Sequence, residues 1–263
     1  MDQDDILTER IEENKIAVSS IIGTRKYQQD AVRVPEGEYD EKHFICVLSD
    51  GMGGLQGGEI ASQITVDTFY RDFYENPAID NYSAFLQSEI DKADCLVSEL
   101  QNEDGSPMDA GATLLAVIID ASNLYWASVG DSRIYILRGD SILQINEEHN
   151  YAYTLRRQVE AGTISLEEAK QDASKDALIS YIGMGGVSLI DINEIPFPLE
   201  DNDILLLCSD GLFRVLNDEA IQLIVQEFFY NIPLAAQMLT TCAMENSTGA
   251  QDNTTVVVIK YNK

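Results

Sequence analysis

Residues 44–58 read FICVLSDGMGGLQGG, an apolar run that stops on a carboxylate, Asp50, and then sheds most of its side chains. Five of the eight residues after Asp50 are glycine. An Asp-Gly pair by itself marks a turn. Repetition decides the reading. A second apolar run, ILLLCSDGL at 204–212, ends in the same Ser-Asp-Gly, with Asp210 in the place of Asp50. ASVGDSR at 127–133 puts Asp131 behind a third run, and QDNTT at 251–255 puts Asp252 just ahead of a fourth, VVVIKY. GTRKYQQDAVRV at 23–34 sets Asp30 after the first strand-like run, with Arg25 five residues before it.

Five aspartates at strand ends meet if the strand ends meet. Two carboxylates about 4 Å apart repel by roughly 4 kcal/mol at an effective dielectric near 20. A group of them needs cations, or some must hold protons. Oxygen donors without histidine or cysteine favour hard divalent ions, Mg²⁺ or Mn²⁺. The glycines after Asp50 let a backbone carbonyl such as that of Gly51 turn toward an ion and leave room for water. The two histidines (His43, His149) and four cysteines without a CxxC pair supply little for a zinc site or a Ser-His-Asp triad.

With 263 residues, 45% apolar and 24% charged, the chain is long enough for a substantial core and reads as globular and soluble. No apolar run nears the roughly 18 residues that span a bilayer. The first fifteen residues, MDQDDILTERIEENK, are acidic and carry no signal-like core, which places the protein in the cytoplasm. A net charge of −28 repels nucleic acid and anionic membrane, so neither is an expected partner.

Strand-like runs at 16–22, 44–49, 113–119, 124–128, 133–137, 141–145, 204–209 and 255–261 are rich in Val, Ile, Leu and Tyr. Turn residues around Asn123 and at Arg138-Gly139-Asp140 make two of the pairs hairpins, hence antiparallel. Val66, Phe69, Tyr70 and Phe73 share a helical face, as do Tyr82, Leu86, Ala93, Val97 and Leu100. Pro233 opens a late helix with Leu234, Met238, Leu239 and Cys242 turned inward. The fold class is therefore α+β, antiparallel sheets covered by helices. Residues 147–185 are polar, hold a Ser165–Glu168 capping box and break the pattern, as an inserted helical flap does. The organisation expected is an acidic extension over 1–15 and a single domain over 16–263.

In order, Arg25 with Asp30, SDGMGG (49–54), GAT (111–113), SVGDSR (128–133), CSDGL (208–212) and QDNTT (251–255) resemble the metal-dependent protein phosphatases, the type 2C serine/threonine phosphatases. The resemblance runs from about residue 16 to 261. It implies a four-layer α/β/β/α sandwich and hydrolysis of phosphoserine and phosphothreonine, by attack of a water that bridges two metal ions. By resemblance Asp50 bridges the two Mn²⁺ or Mg²⁺ ions, Gly51 offers its carbonyl, and Asp210 and Asp252 hold the second ion. Asp131 resembles the ligand of a third, weaker ion shared with Asp210. Asp30 corresponds to a carboxylate holding metal-bound water, and Arg25 to the grip on substrate phosphate. Asn253 and Thr113 support the site from behind. Phosphorylated proteins, targets of a serine/threonine kinase, are the implied partners. Met52 stands where many eukaryotic members carry a histidine, so DGMGG resembles the bacterial type and leaving-group protonation falls to another source. A non-catalytic sensor with this fold, or a phosphatase of a partner-switching regulator, is the alternative; the retained Asp50, Asp131, Asp210 and Asp252 favour catalysis.

Overall fold

The structure, a computed structural model, describes residues 15–53, 57–76 and 78–263. The acidic extension expected over 1–15 lies almost wholly outside the described residues. In chain order the strands are β1 (Ile16–Ile21), β2 (Asp30–Arg33), β3 (His43–Gly53), β4 (Ala110–Ala112), β5 (Leu114–Asp120), β6 (Asn123–Val129), β7 (Arg133–Arg138), β8 (Ser141–Gln144), β9 (Asp191–Ile192), β10 (Phe197–Pro198), β11 (Ile204–Cys208) and β12 (Thr254–Lys260). The helices are α1 (Gly57–Glu75), α2 (Tyr82–Ser98), α3 (Tyr151–Glu160), α4 (Leu166–Gln171), α5 (Asp210–Phe213), α6 (Asp218–Glu227) and α7 (Ile232–Asn246).

Two antiparallel sheets result. One has the order β1-β12-β11-β7-β8; the other runs β10-β6-β5-β3-β2, with β4 on β3 and β9 on β6. The hairpins expected around Asn123 and Gly139 form, pairing Asp120 with Asn123 and Arg138 with Ser141.

Side-chain alternation explains the layering. Along β5, Leu114, Ala116 and Ile118 pack with α1 and α2, while Leu115, Val117 and Ile119 turn to the opposite sheet. Along β11, Leu205 and Leu207 join that middle core, while Leu206 and Cys208 face α6 and α7. A strand buried on both faces is apolar throughout, which is why these runs do not alternate in sequence. Three cores separate four layers, α/β/β/α, the sandwich the sequence implied.

The late helix turns differently from its sequence reading. Ala235, Ala236, Leu239 and Ala243 are buried, while Leu234, Met238 and Cys242 are half-buried. Small residues let α7 lie close to the sheet, where Thr240 Oγ1 and Ser19 Oγ hydrogen-bond at 2.7 Å. Between β8 and β9 the segment expected as a flap carries α3 and α4, and Ser165 and Glu168 cap α4 reciprocally. No helix among the described residues is long and apolar enough to cross a membrane.

Candidate active site

The ends of the central strands of both sheets open onto one cavity of about 350 Å³. Its lining includes Arg25, Asp50, Gly51, Asp131, Asp210 and Asp252, gathered from positions up to 227 residues apart in the chain. Asp30 stands beside it as the cross-strand partner of Asp50. Every residue expected at the site is thus at or next to this cavity.

Backbone and hydroxyl hydrogen bonds set each carboxylate. Asp50 N donates to Thr113 Oγ1 at 2.9 Å, and Thr113 N donates back to Asp50 O at 2.8 Å. Ser49 Oγ donates to Thr113 O at 2.6 Å, so β3 and the start of β5 are locked where Asp50 emerges. Thr113 is the supporting residue the sequence implied. Asn253 is the other: its Oδ1 accepts from Gln29 N at 2.8 Å, and its Nδ2 donates to Ile22 O and Tyr27 O. It ties the Asp252 turn to the loop bearing Arg25.

Ser209 would cap α5, yet its hydroxyl is engaged elsewhere. It donates to Asp30 Oδ2 at 2.8 Å and accepts from Thr255 N at 3.0 Å. One side chain therefore links Asp30 of one sheet to the Asp210 end of the other. Gly130, at φ +100, turns the chain out of β6 into Asp131, a backbone that side chains with Cβ rarely adopt.

The glycines after Asp50 have a reason beyond room for a ligand. A Cβ on Gly51 would lie 2.1 Å from Gly58 O and 2.6 Å from Gln29 O. The first turn of α1 sits backbone on backbone against β3, and only glycine permits that approach.

Burial dominates the charge state. It lifts the Asp30 carboxyl to about 7, with Asp210 and Asp252 adding to the shift against the Thr255 and Ser209 hydrogen bonds. Asp131 also rises to about 7, through burial first and the Asp210 charge second. Burial and then the surrounding aspartates, Asp30 foremost, push Asp50 well above the ordinary carboxylate range. Asp210 is raised by burial, partly offset by Arg214. Oxygens Oδ1 of Asp30 and Asp210 are buried without a hydrogen-bond partner.

These features fit hard divalent ions. Asp30 and Asp210 each keep a buried carboxylate oxygen without a hydrogen-bond partner, and the acidic wall of the cavity adds Asp50, Asp131, Asp252 and Gly51, with no histidine or cysteine among its lining residues. No three carboxylates, thiols or imidazoles among the described residues cage a single point by themselves. Waters would complete any shell, as magnesium and its analogues ordinarily keep several.

Two charged cavity residues escaped the sequence reading. Arg214 Nε forms an ion pair with Asp210 Oδ2 at 2.7 Å, and Asp176 enters from the 147–185 segment. The signal for Arg214 was its place four residues after Asp210, one helical turn. Arg133, the neighbour in sequence that could have paired with Asp131, bonds Glu148 instead at 2.7 Å. Arg25 lies more than half exposed with its guanidinium on Asp252. His149 is buried, its Nδ1 accepting from Gly130 N at 3.3 Å, and holds the turn that leads into Asp131.

Residues 19–250 match the family model for protein phosphatase 2C. The chain belongs to the protein phosphatase 2C family. A serine/threonine phosphatase, stp, of Listeria innocua serovar 6a is 31% identical over 228 residues, covering 86% of this chain and 87% of its own. The S. agalactiae serine/threonine phosphatase superposes with a TM-score of 0.79 at 29% identity, over 94% of this chain and 99% of that one. The catalytic domain of the serine/threonine phosphatase PstP, solved with two manganese ions, aligns at 25% identity and TM-score 0.74, over 94% and 98%. This family member is a metal-dependent protein serine/threonine phosphatase of the bacterial type.

Proposed function

We propose that the cavity is the catalytic centre, with Asp50, Gly51, Asp210 and Asp252 holding two divalent ions, manganese or magnesium, and Asp131 with Asp210 flanking a place for a third. One observation carries this reading. Five carboxylates line the cavity against two guanidiniums, so with all of them ionised it repels a phosphate dianion. Divalent cations reverse that sign, and protons alone do not supply a Lewis acid. The two manganese ions of the related PstP domain support the choice of ion.

When bound, the ions would acidify a water between them and take up charge on the phosphoryl oxygens. The chain's own groups do the rest. Asp30, with one oxygen held by Ser209, is placed to accept a proton from the attacking water. Arg25 leaves Asp252 to grip two phosphoryl oxygens in its planar fork. Such preorganisation matters, because phosphomonoester hydrolysis needs acceleration of up to about 10²¹-fold.

We read residues 16–263 as one catalytic domain, 147–185 as its flap, and proteins phosphorylated by a serine/threonine kinase as its substrates. Four free cysteines, one of them exposed, support a reducing compartment, the cytoplasm. The test is hydrolysis of p-nitrophenyl phosphate with and without Mn²⁺. Activity should require the ion and vanish on chelation and in Asp210→Ala. Full turnover in excess chelator would overturn the mechanism.

A further inference from the structure

Arg214 touches both aspartates assigned above to the third ion. Its Nε lies 2.7 Å from Asp210 Oδ2 and its Nη2 3.6 Å from Asp131 Oδ2, an ion pair with each. Asp131 follows β6 in one sheet and Asp210 follows β11 in the other, so a single guanidinium spans the seam between the sheets. The two carboxylates are nearly buried, at 8% and 12% side-chain exposure, whereas Arg214 is 51% exposed. The cation thus reaches in from solvent over a fixed anionic pair. Arg25 pairs with Asp252 on the other side, and Arg133 is held by Glu148 over the ring of Phe213, 3.8 Å away.

We propose that Arg214 is the chain's own counter-cation for the Asp131–Asp210 pair, holding that position against a divalent ion. The cavity then binds two ions and admits a third only by displacing the guanidinium. This rests on Asp131 and Asp210 being metal ligands.

The physics is a competition between a tethered charge and a free one. A guanidinium keeps its proton at any working pH, so it leaves only by moving. Being part of the chain, it is present at a fixed local concentration that dilution does not change. Its exposure keeps the ion pair weak enough to open. Asp176, on the flap side of the cavity, adds to the field on Arg214 and offers a second place for the displaced charge.

The test counts bound manganese. The purified protein is titrated with Mn²⁺, bound ions are followed by loss of the free-ion electron paramagnetic resonance signal, and heats are measured by calorimetry. The wild type should take two ions, with further binding weak. Arg214→Ala should tighten the weak step by about 5- to 10-fold, the scale of one screened charge at this distance. Arg214→Lys, which keeps the charge and loses the planar fork, should fall between. Adding Asp131→Asn to Arg214→Ala should abolish the gain. Equal weak-step binding in the wild type and Arg214→Ala would overturn the role of Arg214 and leave the two-ion reading intact. A wild type that binds no manganese would overturn both.

Discussion

Asp30 and Asp50 face each other as cross-strand partners where β2 meets β3, and the Oδ1 of Asp30 has no hydrogen-bond partner. Like charges placed opposite each other in a ladder destabilise it. The fold therefore keeps, at its functional end, a pair it would not choose for stability.

Neutralising one member should stabilise the metal-free protein. Asp50→Asn removes a carboxylate that burial and the surrounding aspartates push well above the ordinary range, while keeping its shape. A gain of about 1 kcal/mol corresponds to roughly 2–4 °C in a domain of this size. The same variant should lose Mn²⁺-dependent turnover and the thermal stabilisation that Mn²⁺ gives the wild type. Differential scanning calorimetry with and without the ion reads both effects; a variant less stable than the wild type in chelator would contradict the first.

The carboxyl shifts also fix the pH dependence. Asp30 and Asp131 titrate near 7 in the folded chain and near 3.8 unfolded, and Asp50 and Asp210 shift the same way. Between those values the native state binds more protons than the unfolded state, so stability in chelator falls as pH rises. Buried His149, depressed by burial, acts oppositely below about 6.5, where the unfolded state takes up a proton the folded state refuses. Carboxyls outnumber it, so chelator-treated protein should melt higher at pH 6.5 than at pH 8. Manganese binding near pH 6.5 should release protons, visible as a calorimetric heat that changes with the buffer's ionisation enthalpy.

How far the sequence shows this site depends on where the signal is stored. Asp50, Asp131, Asp210 and Asp252 stand at the ends of apolar runs or just before one, and a run long enough to be buried on both faces announces itself. Strands β2, β4, β9 and β10 do not. They are two to four residues long and exist because a longer neighbour pairs with them. Arg214 and Asp176 are harder to read for another reason: beyond Arg214's one-turn spacing from Asp210, their roles arise from a helical turn and the 147–185 segment meeting the cavity. The inward face of α7 was misjudged because larger apolar residues were preferred to alanines that let the helix lie closer.

Arg25, proposed above as the grip on substrate phosphate, is weakly committed to structure. It is more than half exposed, and its partner Asp252 keeps a second anchor in the Asn253 N–H at 2.9 Å. Arg25→Ala should leave the melting temperature nearly unchanged and raise KM for a phosphopeptide. Loss of a charged hydrogen-bonding pair of contacts, about 1.5–3 kcal/mol, corresponds to roughly 10- to 150-fold in kcat/KM. Steady-state kinetics at fixed ionic strength, with Arg25→Lys as the partial rescue, measures it; unchanged kinetics would remove Arg25 from the phosphate site.

Asp94 of α2 anchors the C-terminal end of the segment proposed above as the flap. Its carboxylate accepts from Gly183 N at 2.7 Å, Gly185 N at 3.3 Å and Gly186 N at 2.6 Å, and is nearly buried. Beside it Ile182 pairs with Ala112, one residue from Thr113, so this anchor is continuous with the strand that sets Asp50. Asp94→Asn keeps the size but turns one acceptor into a donor facing N–H groups. The cost should be about 1.5–3 kcal/mol, the range for hydrogen bonds to a charged group. The loss should be local: hydrogen exchange should speed up across 178–187 while the β5–β6 core stays protected. Exchange that rises equally in the β5–β6 core would show that Asp94 holds the whole domain and not the flap hinge.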